Sequence, residues 1–254
     1  MIDKLYTFSY AIVFTVGLVL GSFFNVVGFR VPIKEMNRSS RSQCPNCKYT
    51  LNWYDLVPIL SYITIKGKCR KCKTSISPLY PIVEAATGFL YAYSFIRFGF
   101  STELIVALLF TSLLVIITVT DLSYMLIPNV ILLFFLPLLI IGRIASPLDP
   151  WWDSLAGGAI GLILTAIIII ASKGGMGGGD MKLFGVIGVV LGLPGVLLAF
   201  FLSTLYGSLI SGVLLLFKKI DRKKPVPFGP YIVLGALTSY FFKAPIIDWY
   251  LHLF

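Results

Sequence analysis

Residues 104–121 read LIVALLFTSLLVIITVTD, an apolar run that closes on an aspartate. A run of this length is long enough to cross a lipid bilayer as a helix. The rest of the chain has the same character, because 57% of its 254 residues are hydrophobic and only 13% are charged. Soluble domains carry about a quarter charged residues. The sequence therefore predicts an integral membrane protein rather than a large soluble core.

Apolar segments recur along the chain, and they predict an all-α polytopic membrane protein with about eight transmembrane helices. The segments are roughly 6–28, 80–97, 104–120, 127–145, 154–172, 183–193, 196–217 and 230–250. The sixth is short and ends at the turn signal Leu193-Pro194-Gly195, so it is expected either to tilt or to form a partial span inside the bundle. The first segment is followed by no small-residue cleavage site and is expected to be retained.

Glycines at four-residue spacing predict close packing between helices. These pairs are Gly17 and Gly21, Gly157 and Gly161, and Gly188 and Gly192.

The basic residues are distributed unevenly between the loops. Most of the 21 Lys and Arg residues fall in segments 30–78, 173–182 and 218–224. With eight spans these segments lie on one side of the membrane, and the positive-inside rule makes that side the cytoplasm and both termini external. The basic residues of these cytoplasmic segments account for the net charge of +10. No basic groove with interleaved aromatic residues is present, so nucleic-acid binding is not predicted.

All four cysteines lie in the first of these basic segments, as Cys44-Pro-Asn-Cys47 and Cys69-Arg-Lys-Cys72. Each pair can present two sulfurs from one tight turn, and two such turns complete a tetrahedral thiolate site for zinc. Disulfides are rare in the reducing cytoplasm, which leaves free or redox-active thiols as the alternative. Because sulfur fills all four positions, the pattern indicates a structural zinc that helps the loop to fold.

Two of the 11 acidic residues stand where an acid is unexpected. Asp121 ends an apolar segment, and Asp180 follows a glycine-rich run that begins at Gly174. The predicted topology puts both at the cytoplasmic membrane edge, where an ionisable residue indicates a functional site. Two carboxyls that share a proton can hydrolyse a peptide, since one activates water while the other polarises the scissile carbonyl. The glycines would let a substrate backbone approach closely.

Plainer interpretations stay open for each feature. Asp121 alone fits an ordinary helix end that faces lipid headgroups, and the glycine run fits a flexible connector. The run does not match G-x-G-x-x-G, so no dinucleotide site is predicted. A transporter with the aspartates on an ion path, or a membrane adaptor whose zinc loop docks a partner, would be alternative functions. The chain shows no internal repeat of the kind expected for a transporter, and an adaptor leaves both aspartates unexplained.

Several motifs, in order, resemble those of the prepilin peptidases (type IV leader peptidases), which are membrane aspartyl peptidases of the GxGD type. The motifs are Gly21-Ser-Phe-Phe-Asn25-Val-Val-Gly-Phe-Arg30-Val-Pro32, the paired C-x-x-C, Ser77-Pro-Leu-Tyr80-Pro81-Ile-Val-Glu84, Asp121-Leu-Ser-Tyr-Met-Leu-Ile-Pro128-Asn129, Met176-Gly-Gly-Gly-Asp180-Met-Lys182 and Pro227-Phe-Gly-Pro230. The resemblance covers nearly the whole chain. It departs from the family at Gly28, where a larger residue is frequent, and in the short sixth segment.

The resemblance implies a bacterial inner-membrane endopeptidase that removes the basic leader from type IV prepilins or pseudopilins at the cytoplasmic face. It assigns catalysis to Asp121 and Asp180. Supporting or substrate-contacting roles fall on Gly178, Gly179, Lys182, Pro128, Asn129 and Glu84.

The same resemblance implies N-methylation of the new N-terminus with S-adenosylmethionine. In the family this activity is associated with the region that here contains Asn25, Arg30, Glu35 and Glu84. The expected domains are a first transmembrane helix over 1–29, a zinc-binding cytoplasmic loop over 30–78 and a peptidase core over 79–254.

Overall fold

The protein is described by a computed structural model over residues 2–36, 42–173, 175–217 and 226–252, with side chains from residue 8 onward. Some basic residues of the predicted topology, and the first residue of the glycine run, lie outside this part of the chain. They are the side chain of Lys4, the basic residues Arg38 and Arg41, Gly174, and the cluster at 218–224.

The described chain is helical, with two isolated β-bridges in its first loop. Its longer helices are α1 (Ile2–Arg30), α3 (Leu79–Phe98), α4 (Thr102–Tyr124), α5 (Asn129–Ala145), α6 (Asp153–Ala171), α7 (Gly178–Leu216) and α8 (Gly229–Leu251). The short helix α2 (Leu60–Thr64) and a 3-10 turn (Trp53–Leu56) lie in the loop between α1 and α3.

Five helices are long and apolar enough to cross a membrane, which supports a multi-pass membrane protein. They include residues Phe8–Arg30 of α1 and the helices α4, α6, α7 and α8 in full. Helix α5 is apolar but shorter, and α3 is not among the five. The helices coincide closely with the apolar segments of the sequence, so the all-helical class is confirmed, while the number of spans stays a prediction.

Helix α7 contains two helical halves that fold back on each other. Gly192 interrupts it with φ 73°, a left-handed value that glycine adopts without strain, and Pro194 follows. A straight helix would place residues 184 and 200 roughly 24 Å apart, yet the rings of Phe184 and Phe200 lie 5.5 Å apart. The chain therefore reverses at the predicted turn, and the sixth and seventh apolar segments are separate antiparallel helices.

The chain divides into two compact units, Met1–Val119 and Thr120–Phe254. In the first unit α1 packs against α3 with backbones in close approach, because a Cβ on Gly17 would lie 2.8 Å from the Cα of Gly88. The space beside Gly28 is filled by Val119, whose Cγ1 would lie 2.5 Å from an added Cβ. A small residue at position 28 is thereby explained.

In the second unit α7 packs against α5, α6 and α8. Gly157 of α6 and Gly188 of α7 face each other so closely that a Cβ on either would collide with the carbonyl of the other. The glycine pairs therefore serve close helix packing, as their spacing predicts.

Candidate active site and metal site

Asp121 lies in α4, one turn before the helix ends at Tyr124. Its side chain is 5% exposed, and its Oδ2 accepts a hydrogen bond of 2.7 Å from the backbone N–H of Gly229. Glycine allows this contact, since a Cβ at position 229 would also lie 2.7 Å from Oδ2. The first turn of α8 thus fixes one oxygen of the carboxyl with a backbone donor and the positive end of a helix dipole.

Asp180 lies in the first turn of α7 and is 9% exposed. Its Oδ2 accepts a 3.1 Å hydrogen bond from the backbone N–H of Gly177, the N-cap residue. The end of the glycine run is therefore helical from Gly178 onward, although the sequence suggested a loop up to Asp180. The carboxyl caps its own helix and offsets the helical cost of two glycines.

Both carboxyls line one cavity of about 570 Å³. Apolar side chains form much of the remaining wall, including those of Ile127, Phe200 and Phe228. The structure therefore brings together two buried acids, 59 positions apart in a chain of 254 residues, beside space large enough for a short peptide segment.

Two of the other predicted residues of this unit belong to the cavity wall, and three are not among the residues that line it. Gly178 and Gly179 line it. Lys182 donates a 2.9 Å hydrogen bond to the Oδ1 of Asn129, and Pro128 is the N-cap of α5. The Lys182–Asn129 bond links the start of α5 to the helix that carries Asp180.

Gly229 is a site residue that the sequence analysis did not single out. Its signal was the motif Pro227-Phe-Gly-Pro230, which the resemblance identified without giving it a role. Sequence spacing could not reveal that this glycine donates to Asp121, because the two residues are far apart along the chain.

Glu84 belongs to the first unit. Its side chain is 7% exposed, and its Oε2 accepts a 2.8 Å hydrogen bond from the backbone N–H of Ile59. It also hydrogen-bonds to the Ser22 side chain. Glu84 therefore connects the loop after α1 to α3.

The four cysteines form one cluster in which all sulfurs lie within 4.8 Å of one another. Cys44 and Cys72 sulfurs are 3.7 Å apart, and those of Cys47 and Cys69 are 3.9 Å apart. Four sulfurs at 2.3 Å from a tetrahedral zinc would be separated by about 3.8 Å. The cluster could therefore hold a metal ion, and its spacing fits zinc.

Two equivalent turns present the cysteine pairs. In the first, the N–H of Cys44 donates to the carbonyl of Tyr49, and the N–H of Lys48 to that of Cys44. In the second, the N–H of Cys69 donates to the carbonyl of Thr74, and the N–H of Lys73 to that of Cys69.

Polar neighbours favour thiolate at one end of the cluster. Hydrogen bonds from the side chain and backbone of Thr74 lower the pKa of Cys72 to about 5. For Cys47 a backbone hydrogen bond at Tyr49 lowers the pKa, but burial and the neighbouring cysteines outweigh it and raise the pKa to about 11. Without a cation the cluster thus disfavours carrying several negative charges at once.

Comparisons with known proteins agree on one family. The model of the bacterial peptidase A24 N-terminal domain matches residues 15–98, and that of the type IV leader peptidase family matches residues 108–212. No solved structure matches the chain.

Curated relatives match along almost their full length. A protein of Bacillus subtilis is 45% identical, over 95% of this chain and 97% of its own. A Pseudomonas aeruginosa protein is 31% identical over 92% and 91%, and a Legionella pneumophila protein is 32% identical over 96% and 95%. Each is named a prepilin leader peptidase/N-methyltransferase. With its two buried acids on one cavity and its four-cysteine cluster, this chain belongs to the type IV leader peptidase family.

Proposed function

We propose that the protein is an aspartic endopeptidase of the membrane that removes the leader peptide from prepilins or pseudopilins and N-methylates the new N-terminus. The observation that carries the peptidase half is the pair Asp121 and Asp180, buried on the wall of one cavity. The relatives' name, prepilin leader peptidase/N-methyltransferase, supports both halves.

The two carboxyls are prepared for hydrolysis by the way in which they are held. A backbone amide binds one oxygen of each, at Gly229 for Asp121 and at Gly177 for Asp180. The second oxygen of each makes no hydrogen bond within the described ranges, so it is available to water and substrate. One ionised carboxylate takes a proton from the attacking water, while the other, protonated, donates a hydrogen bond to the scissile carbonyl. When the C–N bond then breaks, the amine leaves with the proton that the first carboxyl took from water.

The expected substrate suits this position. Both aspartates lie close to helix ends, at Tyr124 and Gly178, where an apolar substrate helix would emerge from the lipid. The distribution of basic residues in the sequence assigns this end to the cytoplasmic face of the inner membrane, with both termini outside. Of the supporting residues, Gly178 and Gly179 would allow close approach of the substrate backbone, while Pro128, Asn129 and Lys182 would hold the cavity wall.

We assign zinc to the cysteine cluster in the loop over 30–78. Four thiolates complete the shell of the ion and leave no position for water or substrate, so the metal is structural. Asp55 supports the same loop through an ion pair with Arg70, in which oxygen and nitrogen lie 2.9 Å apart. The loop would join the first helix (1–29) to a peptidase core over 79–254.

Methylation requires a methyl donor, and S-adenosylmethionine would supply the methyl group as an electrophile. The residues for this half lie in the first unit, near Asn25, Arg30, Glu35 and Glu84. The buried Oδ1 of Asn25, which has no partner among the described residues, fits a ligand that carries hydrogen-bond donors.

The peptidase assignment is tested with Asp121→Asn and Asp180→Asn in detergent-solubilised protein and a synthetic prepilin. Each change keeps the shape of the side chain and removes its acid–base chemistry, so we expect cleavage to fall by a factor on the order of 10³ or more. Asp248→Asn is the matched control, because that aspartate is exposed on α8. Cleavage retained by either active-site variant, with normal yield and metal content, would remove the aspartyl mechanism.

A further inference from the structure

Asn25 is a polar residue held inside the first unit with one half of its amide unsatisfied. It is 1% exposed. Its Nδ2 donates a 3.2 Å hydrogen bond to the carbonyl of Tyr80, whereas its Oδ1 is buried without a hydrogen-bond partner among the described residues. A buried acceptor without a donor is destabilising, so this oxygen is suited to a donor that comes from a bound molecule.

Glu84 lies beside Asn25 on the facing helix. Asn25 of α1 bonds to the carbonyl of Tyr80, which lies one turn before Glu84 in α3. Ser22, which lies one turn before Asn25 in α1, bonds to Glu84. The two helices are therefore linked at adjacent turns. Gly21 lets the helices meet here, since a Cβ on it would lie 2.9 Å from the Cα of Glu84.

Neither acceptor is bonded to a cation among the described residues. The partners of Glu84 are the Ile59 amide and the Ser22 hydroxyl, both neutral, and within the described ranges it forms no ion pair. A buried carboxylate is normally paired with a positive charge. One carboxylate and one amide oxygen are too few for Ca²⁺, which takes 6–8 oxygen ligands, but they suit an ammonium group with several N–H donors.

We propose that Asn25 and Glu84 form a binding site for a primary ammonium group. The carboxylate of Glu84 supplies the opposite charge, and the Oδ1 of Asn25 accepts a hydrogen bond from the ligand. Ile59, whose backbone has φ 60°, brings the loop after α1 across this site through its bond to Glu84. The inference rests on the proposed function, because N-methyl transfer offers two such ligands.

Those ligands share the same chemistry. One is the α-amino group that cleavage exposes on the mature pilin, and the other is the amino group of the methyl donor. Asn25 lies near the C-terminal end of α1, and Glu84 near the N-terminal end of α3. Both therefore lie at the helix ends that flank the basic loop over 30–78, which the positive-inside rule assigns to the cytoplasm.

The experiment measures binding rather than turnover, in zinc-loaded full-length protein in detergent. The first pair of probes is a synthetic peptide with a mature pilin N-terminus, with its amine free or acetylated. The second is S-adenosylhomocysteine and 5′-methylthioadenosine, which lacks the amino-acid portion. Isothermal titration calorimetry compares wild type with Glu84→Gln and Asn25→Leu, and with Glu103→Gln as the control in the same unit.

We expect wild type and Glu103→Gln to prefer the amine-bearing member of one pair about tenfold or more, as charge-assisted hydrogen bonds imply. Glu84→Gln and Asn25→Leu should lose that preference while retaining zinc. Preference within the peptide pair assigns the site to the pilin amine, and preference within the other pair assigns it to the methyl donor.

The proposal is overturned if Glu84→Gln keeps the wild-type preference, or if wild type shows no preference in either pair. An internal water on Asn25 or a neutral, purely structural Glu84 would give one of these results. Leader cleavage by the same wild-type preparation is assayed separately. If the protein cleaves the leader but does not discriminate between the amine-bearing probe and its partner, only this inference fails. If the protein neither cleaves nor methylates, the proposed function fails.

Discussion

Asp121 and Asp180 are each fixed by one backbone amide that a glycine supplies. Gly177 and Gly229 are therefore parts of the candidate site even though they carry no side chain. The contact at Gly229 is the tighter one, at 2.7 Å against 3.1 Å. At the scale of single residues, the site depends on close approach between backbone and carboxyl.

Gly229→Ala should therefore damage the site. The added Cβ would lie 2.7–2.8 Å from three atoms of the Asp121 side chain, so we expect the carboxyl to move and cleavage to fall at least tenfold. The measurement is the rate of prepilin cleavage at equal protein and zinc content. The control is Gly212→Ala in α7, where an added Cβ meets nothing within 4 Å; equal rates for the two variants would contradict the assigned contact.

At the turn within helix α7, backbone groups lose their helical hydrogen bonds and bond instead to polar side chains of neighbouring helices. The N–H of Leu193 donates to the Oδ1 of Asp153 at 2.9 Å, and the Nε of Arg143 donates to the carbonyl of Val190 at 2.9 Å. Ser239 of α8 donates to the carbonyl of Gly195 at 2.7 Å. Three neighbouring helices thus meet the hydrogen-bonding needs of one broken helix, as buried irregular backbone in a membrane protein requires.

Removing the Asp153 side chain should weaken this turn. Asp153→Ala leaves the Leu193 amide without its acceptor, which costs about 1–3 kcal/mol. For a chain of this size that corresponds to a fall in Tm of roughly 2–4 °C per kcal/mol, measurable by tryptophan fluorescence in detergent. Asp248→Ala, on the exposed face of α8, should leave Tm unchanged, and an equal loss in both variants would speak against the turn as the cause.

The zinc affinity of the cysteine loop should depend on pH, because its thiols must lose protons to bind the metal. At pH 7.5 the thiol of Cys47, with its pKa raised to about 11, still carries its proton, whereas Cys72, with its pKa lowered to about 5, is already ionised. Zinc binds thiolates, so loading should release protons and the affinity should rise with pH. Calorimetry in buffers of different ionisation enthalpy measures this release. A zinc affinity that does not change between about pH 6 and pH 8 would exclude thiolate ligation.

At the scale of the whole molecule, the proposed orientation predicts opposite faces for two loops. Alkaline phosphatase fused after residue 148 should be active, because that loop is expected outside the cytoplasm. Green fluorescent protein fused after residue 173 should fluoresce, because that segment is expected inside. Exchanging the reporters provides the control. A fluorescent fusion at 148 and an active phosphatase at 173 would reverse the topology and place the active site on the outer face.

Much of the helix pattern could be predicted from the sequence, because lipid permits few backbone arrangements. A long apolar segment must satisfy its own hydrogen bonds, so composition and length nearly dictate a helix. The turn at residues 193–195 was also predictable, since Pro194 and the glycines beside it disrupt a continuous helix. The cysteine cluster was predictable because two C-x-x-C turns carry their ligand geometry locally.

The sequence by itself determined that this chain is helical, lies in a membrane and carries a four-cysteine cluster, because each of these is set by local composition or short spacing. Only the tertiary structure decided which backbone amides hold the two acids, that both acids line one cavity, and that the buried Asn25 keeps an acceptor with no partner among the described residues. These features depend on contacts between distant segments. Such contacts are fixed by how helices pack, and no single segment encodes them.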